Sequence, residues 1–301
     1  MRLAYTDRMR GIGTHLHDGW RKLVDPRWLA GWEPRTFELE GGTTELVTMG
    51  EGPPLVLVPP LPGFKEAFVG VAHRLAREFR IITFDLRARF EGRPSWAALV
   101  ADLDRVVDAL APGPIVLLGH SLGGALAQHW SIAHGGRARA LILSSSFPRV
   151  SGAPRHWGKR YLEQPLVLAS QRFFPNEWAQ SLAARFAAQG AWVYDEHCDA
   201  RVRDFVGFGI RTLPFNLAFQ CVGLAMSHDT RDRLAAIRAP VLLVVGEREA
   251  RWAHDAHAEL ARLLPHAERR EAPGVAHLHP LSSPEWLATT VLDWLRIQPP
   301  A

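Results

Sequence analysis

Ser121 sits in a setting that can make a hydroxyl do chemistry. The run Gly119-His-Ser-Leu-Gly123, with Gly124 next, follows the unbroken apolar stretch Ile115–Leu118 and precedes residues with helical spacing from Leu122 to Ala133. A strand that turns sharply into a helix forces the residue at the corner into crowded backbone angles, and flanking glycines relieve the crowding. Such a turn lifts the Ser121 hydroxyl above the sheet. It also points the Leu122 amide and the helix N-terminus at the same spot, where a developing oxyanion is favoured. A serine hydroxyl is a weak nucleophile until a base takes its proton, so the chain needs a histidine and, behind it, a carboxylate. Two histidines, His277 and His279, lie in a late loop, and Glu247 and Glu249 follow a late apolar run. The pairs His15/His17 and His254/His257 have metal-like spacing, but no cysteines or clustered carboxylates accompany them. No metal site, phosphate-binding loop or dinucleotide fingerprint is expected, and the chemistry needs no cofactor.

The elements around these residues read as alternating strands and helices. Residues 1–35 carry no clear periodicity and read as an irregular arm or short helix. A hairpin is expected where Phe37–Glu40 and Thr44–Thr48 alternate about Gly41-Gly42. Leu55–Val58, Arg80–Asp85, Pro114–Gly119, Ala140–Ser144, Pro240–Gly246 and Arg269–Ala272 read as further strands. Helical spacing covers Phe64–Glu78, a helix capped by Ser95 with Leu99, Leu103, Val106 and Leu110 on one face, then His254–Leu264 and Pro284–Ile297. This alternation predicts an α/β fold, a mainly parallel, doubly wound sheet with helices on both faces. The pattern breaks over 147–230, which is rich in aromatics such as Trp157, Phe173, Phe174, Trp178 and Trp192. The expected organisation is a core of 1–146 and 231–301 with a helical lid or cap inserted at 147–230.

Composition narrows the function classes. Thirty-five basic residues against 31 acidic ones leave a net charge of +4, and the charges are dispersed rather than in runs. Nucleic acid is therefore not an expected partner. Two cysteines, Cys198 and Cys221, cannot build a disulfide framework, which fits a reduced, cytoplasmic setting. The N-terminus lacks the apolar stretch of a signal peptide, and the longest apolar runs are strand-length, so no transmembrane segment is expected. Oligomeric state is not readable from these features.

With its Gly-His-Ser-x-Gly-Gly turn framed by strand and helix, the chain resembles the α/β-hydrolase superfamily, in its lid-bearing branch, over about residues 37–150 and 231–297. That resemblance implies Ser121 as nucleophile. It implies His277 as general base, because Pro284-Glu285 stand seven and eight residues further on, as the family pattern has them; Ala276 replaces the family's usual glycine. The family places an acid three residues past the glycine that ends the late strand, which here is Glu249, counted from Gly246. Glu247, Asp255 and Asp104 are the alternatives, and Arg248 and Arg251 are placed to draw Glu249 outward. The oxyanion hole implied is the amides of Leu61 and Leu122. The loop holding Leu61 departs from the family, since Pro59 and Pro60 have no N–H to donate.

The function implied is a serine hydrolase of carboxylic-ester-hydrolase kind. It would cleave an ester-like or other acyl bond of a small, largely apolar substrate through an acyl-enzyme. Acyl transfer and C–C bond hydrolysis use the same residues, and fold does not choose among them. A second class of function also stands. The Pro59-Pro60-Leu61-Pro62-Gly63 loop and the Leu143-Ser-Ser-Ser-Phe147 strand end resemble those of maspardin-like proteins. In that branch the acid position is degraded, and the implied role is interaction rather than catalysis.

Overall fold

Buried strands whose alternate side chains feed two separate cores set the architecture. In the strand Pro54–Val58, Leu55 and Leu57 join one apolar cluster while Val56 and Val58 join another. The strand Val241–Gly246 divides the same way, Leu242 and Val244 against Val241 and Leu243. A strand buried on both faces needs a helical layer on each side, and both layers are present. The computed structural model describes residues 22, 24–61, 63–87, 95–150, 199–202, 205 and 223–298.

Among the described residues, eight strands form one sheet: β1 (Arg35–Leu39), β2 (Gly42–Met49), β3 (Pro54–Val58), β4 (Arg80–Phe84), β5 (Ile115–His120), β6 (Ala138–Ser144), β7 (Val241–Gly246) and β8 (Glu268–Ala272). Their spatial order is β1-β2-β4-β3-β5-β6-β7-β8. The β1–β2 hairpin joins antiparallel to β4, and every pair from β4 across to β8 is parallel. The helices are α1 (Val69–Leu75), α2 (Trp96–Leu110), α3 (Leu122–Ala133), α4 (Arg251–Leu263), the single turn α5 (His279–Ser282) and α6 (Pro284–Arg296). Leu75 of α1 and Val291 of α6 belong to one core; Leu103 of α2, Trp130 of α3 and Leu260 of α4 belong to the other. The expected doubly wound α/β sheet is therefore what the chain forms.

Local chemistry accounts for the ends of the elements. Ser95 accepts from the Ala98 amide at 3.2 Å and caps α2, as a serine before an apolar-periodic stretch should. Helix α4 begins at Arg251, ahead of the expected start near His254, because its cap residue Ala250 carries no side chain that could mark the start. β8 is an edge strand with exposed Arg269, Arg270 and Glu271, charges that discourage pairing with another chain.

The strand order fixes where working residues gather. After β3 the chain adds β4 on one side and β5 on the other, so the carboxyl ends of β3 and β5 diverge at a topological switch point. The residues that follow β3, β5, β6, β7 and β8 all emerge along that same edge of the sheet. Most of the expected insertion 147–230, and residues 1–21 of the N-terminal arm, lie outside the described residues. Within 147–230, buried Val202 and Phe205 belong to the core on the α1–α6 side, and Phe205 meets Phe64 edge-on at 6.3 Å.

Candidate active site

The corner between β5 and α3 is tight because three backbone segments meet there. Ser121 has φ 54° and ψ −116°, a left-handed conformation that non-glycine residues rarely take. Its amide donates to the Ser144 carbonyl at 2.9 Å, which ties the corner to the end of β6. A side chain at Gly123 would collide with the backbone carbonyls of Val58 and Pro59. The first turn of α3 therefore packs directly on the loop leaving β3, and Val58 and Gly119 are register partners. That loop is closed by the Gly63 amide donating to the Pro60 carbonyl at 2.6 Å, and it carries Leu61, half-buried. Next to it Lys65 is fully buried, its Nζ 3.0 Å from Glu45 and 3.1 Å from Asp85. Burial alone would lower the Lys65 pKa, but the surrounding carboxylates outweigh it and hold the ammonium charged.

His277 and Glu249 arrive from the other end of the sheet. Glu249 lies three residues past β7, and its side chain is turned inward and buried. Its Oε2 lies 2.9 Å from His277 Nδ1, and His277 Nε2 lies 3.0 Å from Ser121 Oγ. A carboxylate only accepts, so Nδ1 carries the proton and Nε2 presents its lone pair to the Ser121 hydroxyl. Glu249 Oε1 accepts from the Gly246 amide at 2.9 Å and from the Ser145 hydroxyl. Burial pushes the Glu249 carboxyl up, yet the His277 ring beside it and the hydrogen bonds from His277 and Ser145 prevail and hold it well below the usual carboxylate range. A side chain at Gly246 would meet the carbonyls of Val275 and Ala276 at 2.6 Å, so the loop carrying His277 lies directly on the end of β7.

The alternatives for the acid are all engaged elsewhere. Asp104 holds the Trp130 ring N–H at 2.7 Å and His134 at 2.8 Å. Glu247 accepts from the Gly274 amide at 2.6 Å, and Asp255 lies exposed beside Arg251. The arginines do not pull Glu249 to the surface. His279, the neighbour passed over by the sequence spacing, is fully buried behind the site. Its Nε2 is 2.7 Å from Ser144 Oγ, which is also 2.9 Å from His120 Nδ1. Burial pushes the His279 ring down to about 4, and it pushes His120 well below its ordinary value. Both rings are therefore neutral at pH 7.

Sequence reasoning missed the serines at the end of β6. Ser144 bridges two histidines, Ser145 bonds Glu249, and Ser146 Oγ donates to the Ser121 carbonyl at 3.2 Å. The signal was present as three consecutive serines closing a buried apolar strand, positions where unpaired hydroxyls would be costly.

This arrangement can be set beside known proteins. The sequence pattern of the Alpha/beta hydrolase family matches residues 55–290. The chain belongs to this family. Among curated relatives of this hydrolase, a pimeloyl-[acyl-carrier protein] methyl ester esterase of Chromobacterium violaceum is 28% identical over 257 residues, 83% of this chain and 97% of the relative. The protein of the same name from Yersinia enterocolitica is 27% identical, over 74% of this chain and 86% of its own. Among solved structures, a thermophilic esterase from Thermogutta terrifontis superimposes with a TM-score of 0.65 at 25% identity, covering 88% of this chain and 98% of its own. An enol-lactonase from Burkholderia xenovorans shares the hydrolase's fold, with a TM-score of 0.67 at 18% identity over 87% of this chain and the whole of its own. No helix among the described residues is long and apolar enough to cross a membrane. Among those residues no group of three or more ligating side chains is placed to hold a metal ion.

Proposed function

We propose that this α/β hydrolase is a serine esterase in which Ser121, His277 and Glu249 act as nucleophile, base and acid. The coarser part of this reading, a hydrolase of the carboxylic-ester kind, rests on the family and on the esterases among its relatives. The finer part rests on one observation: an unbroken hydrogen-bonded line from Glu249 through His277 to a serine at a positive-φ corner. Ser121 Oγ attacks the acyl carbon while its proton passes to His277 Nε2. Glu249 stabilises the imidazolium that results. The alkoxide then leaves with that proton, forming an acyl-enzyme, and water repeats the sequence to release the acid. The amides of Leu61 and Leu122 form the oxyanion hole. Leu122 opens α3, where first-turn amides have no intrahelical partner, and the packing of Gly123 on Val58 and Pro59 brings the two loops together.

The substrate is a small, largely apolar acyl ester, which enters beneath a helical lid formed within residues 147–230. The remainder, 1–146 and 231–301, is the catalytic core. The enzyme works in the cytoplasm without cofactor or metal. The interaction-protein reading requires a degraded acid position, whereas here a carboxylate meets the histidine ring.

The deciding experiment is labelling with a fluorescent fluorophosphonate, which phosphonylates activated serines with loss of fluoride, together with hydrolysis of nitrophenyl esters of graded chain length. Labelling and turnover in the parent, both absent in Ser121→Ala, are expected. A parent that neither labels nor turns over any of these esters would favour the interaction role.

A further inference from the structure

Glutamate has one more rotatable bond than aspartate, so a glutamate that must hold an imidazole in line needs more restraint on its carboxylate. Glu249 is held at both oxygens. Oε2 faces His277, and Oε1 is gripped from two directions by the Gly246 amide and the Ser145 hydroxyl. The Gly246 contact is local, three residues away along the chain. The Ser145 contact comes from the end of the neighbouring strand β6, just where the chain turns through φ 47° at Ser145. Ser121 and Ser145 are the non-glycine residues at positive φ among those described. Backbone strain of this kind persists where surrounding structure imposes it and clusters at working sites. Ser145 is buried, its amide donates to the Val244 carbonyl at 2.7 Å, and its hydroxyl also lies 3.4 Å from His279 Nδ1 and 3.5 Å from the His277 carbonyl.

Resting on the reading of Glu249 as the triad acid, we infer that Ser145 is a positioning residue that locks the Glu249 carboxylate against His277. With its hydroxyl proton committed to Oε1, the carboxylate cannot rotate about its last bond without breaking two hydrogen bonds. Oε2 is thereby kept on the His277 Nδ1–H line throughout proton transfer. The left-handed turn at Ser145 is the cost of aiming that hydroxyl across from β6 to the loop after β7.

Strain and hydroxyl are separable by substitution. Ser145→Gly removes the hydroxyl and suits φ 47° better than serine does; Ser145→Ala removes the hydroxyl and keeps the strain. Hydrolysis of a nitrophenyl ester by both variants should show kcat lowered about ten- to hundredfold, the scale of a hydrogen bond to a charged group, with KM within about twofold of the parent. Both variants lose the buried hydrogen bond, but only Ser145→Gly relieves the strain, so it should melt above Ser145→Ala; an equal fall of kcat in the two, despite different melting temperatures, separates the loss of kcat from loss of fold. A Ser145→Gly kcat within about twofold of the parent, while Ser121→Ala is inactive, would overturn this inference and leave the triad standing. A raised KM with unchanged kcat would overturn it too, since that pattern belongs to a substrate contact. Retained activity in Ser121→Ala would overturn both readings together.

Discussion

The proposed relay through Ser121, His277 and Glu249 concentrates the activity in a few atoms, so substitutions there should behave as all-or-none. Ser121→Ala should lower turnover of a nitrophenyl acetate by about 10⁴-fold or more while leaving the fold intact. Activity within tenfold of the parent, after subtraction of uncatalysed hydrolysis, would remove Ser121 as nucleophile. His277→Ala should match it in severity, because the two residues act as one unit and their losses do not add. His279→Ala should differ in kind. Its ring is fully buried against Ser144 and lies behind the reacting atoms, so the variant should lose melting temperature far more than it loses kcat. If the two histidine variants exchange phenotypes, the assignment of the late loop is wrong. Glu249→Gln should lower kcat sharply, since a neutral amide cannot stabilise the imidazolium. Ser121 was legible from its glycine-flanked corner, and His277 and Glu249 through the family resemblance, which sets each at a fixed offset from proline or glycine in the chain. The supporting serines were not, because no spacing rule links Ser145 to a carboxylate 104 residues away that it meets only through strand order.

At the scale of elements, the site depends on strand ends that touch without side chains between them. Gly246 is the clearest case: an added methyl group would lie 2.6 Å from two carbonyls of the segment that leads into His277. Backbone cannot yield as a flexible side chain does, so Gly246→Ala should displace that segment. Overpacking typically costs about 1–3 kcal/mol, and for a domain of this size each kcal/mol lowers the melting temperature by about 2–4 °C. The shift should also lengthen the Glu249–His277 contact, so kcat should fall more than stability alone explains. Calorimetry and ester turnover on the same preparation check both; an unchanged melting temperature would mean that the contact is looser than 2.6 Å. The elements were legible where burial imposed a pattern. β3 and β7 are apolar throughout, β5 is so up to its closing His120, and α2 combines an apolar stripe with a serine cap. They were less so where no local signal exists. The start of α4 has an alanine at its cap, and α5 is a single turn too short to show periodicity.

Over the whole molecule, the parallel sheet and its two helical layers were foreseeable from the alternation of strand and helix, while the pairing of distant histidines inside those layers was not. Among the described residues, four histidines besides His277 are buried: His120, His228, His257 and His279, none with more than 2% of its surface exposed. Burial lowers the pKa of all four, His228 and His279 to about 4, His257 to about 3 and His120 well below its ordinary value. In the unfolded chain each titrates near the ordinary value of about 6.5. Between that pH and the folded values the unfolded state binds the extra protons, so stability rises with pH there and is lost as pH falls. Each such histidine forfeits about 1.4 kcal/mol for every pH unit below about 6.5. Asp85 acts in the opposite sense. Burial outweighs the Lys65 charge beside it and raises its pKa, so the folded state takes up its proton before the unfolded chain does. Asp102 is raised by burial in the same sense, whereas burial lowers His129 to about 3 and adds to the buried histidines; about a fifth of the Asp85 side chain is exposed, which weakens its effect. The depressed Glu249 carboxyl withdraws its own contribution only below the ordinary carboxylate range of about 4. The buried histidines dominate the acid response, and the stability they draw on is only about 5–15 kcal/mol for a typical domain. The melting temperature should therefore hold from pH 8 to about 7 and decline as pH falls below about 6.5. Melting curves taken at half-unit steps test this. A melting temperature that stays level from pH 7 to 5 would mean that the buried histidines are protonated in the folded state or open to solvent. His257→Phe, which replaces one of these rings by an uncharged aromatic, should make the decline measurably shallower.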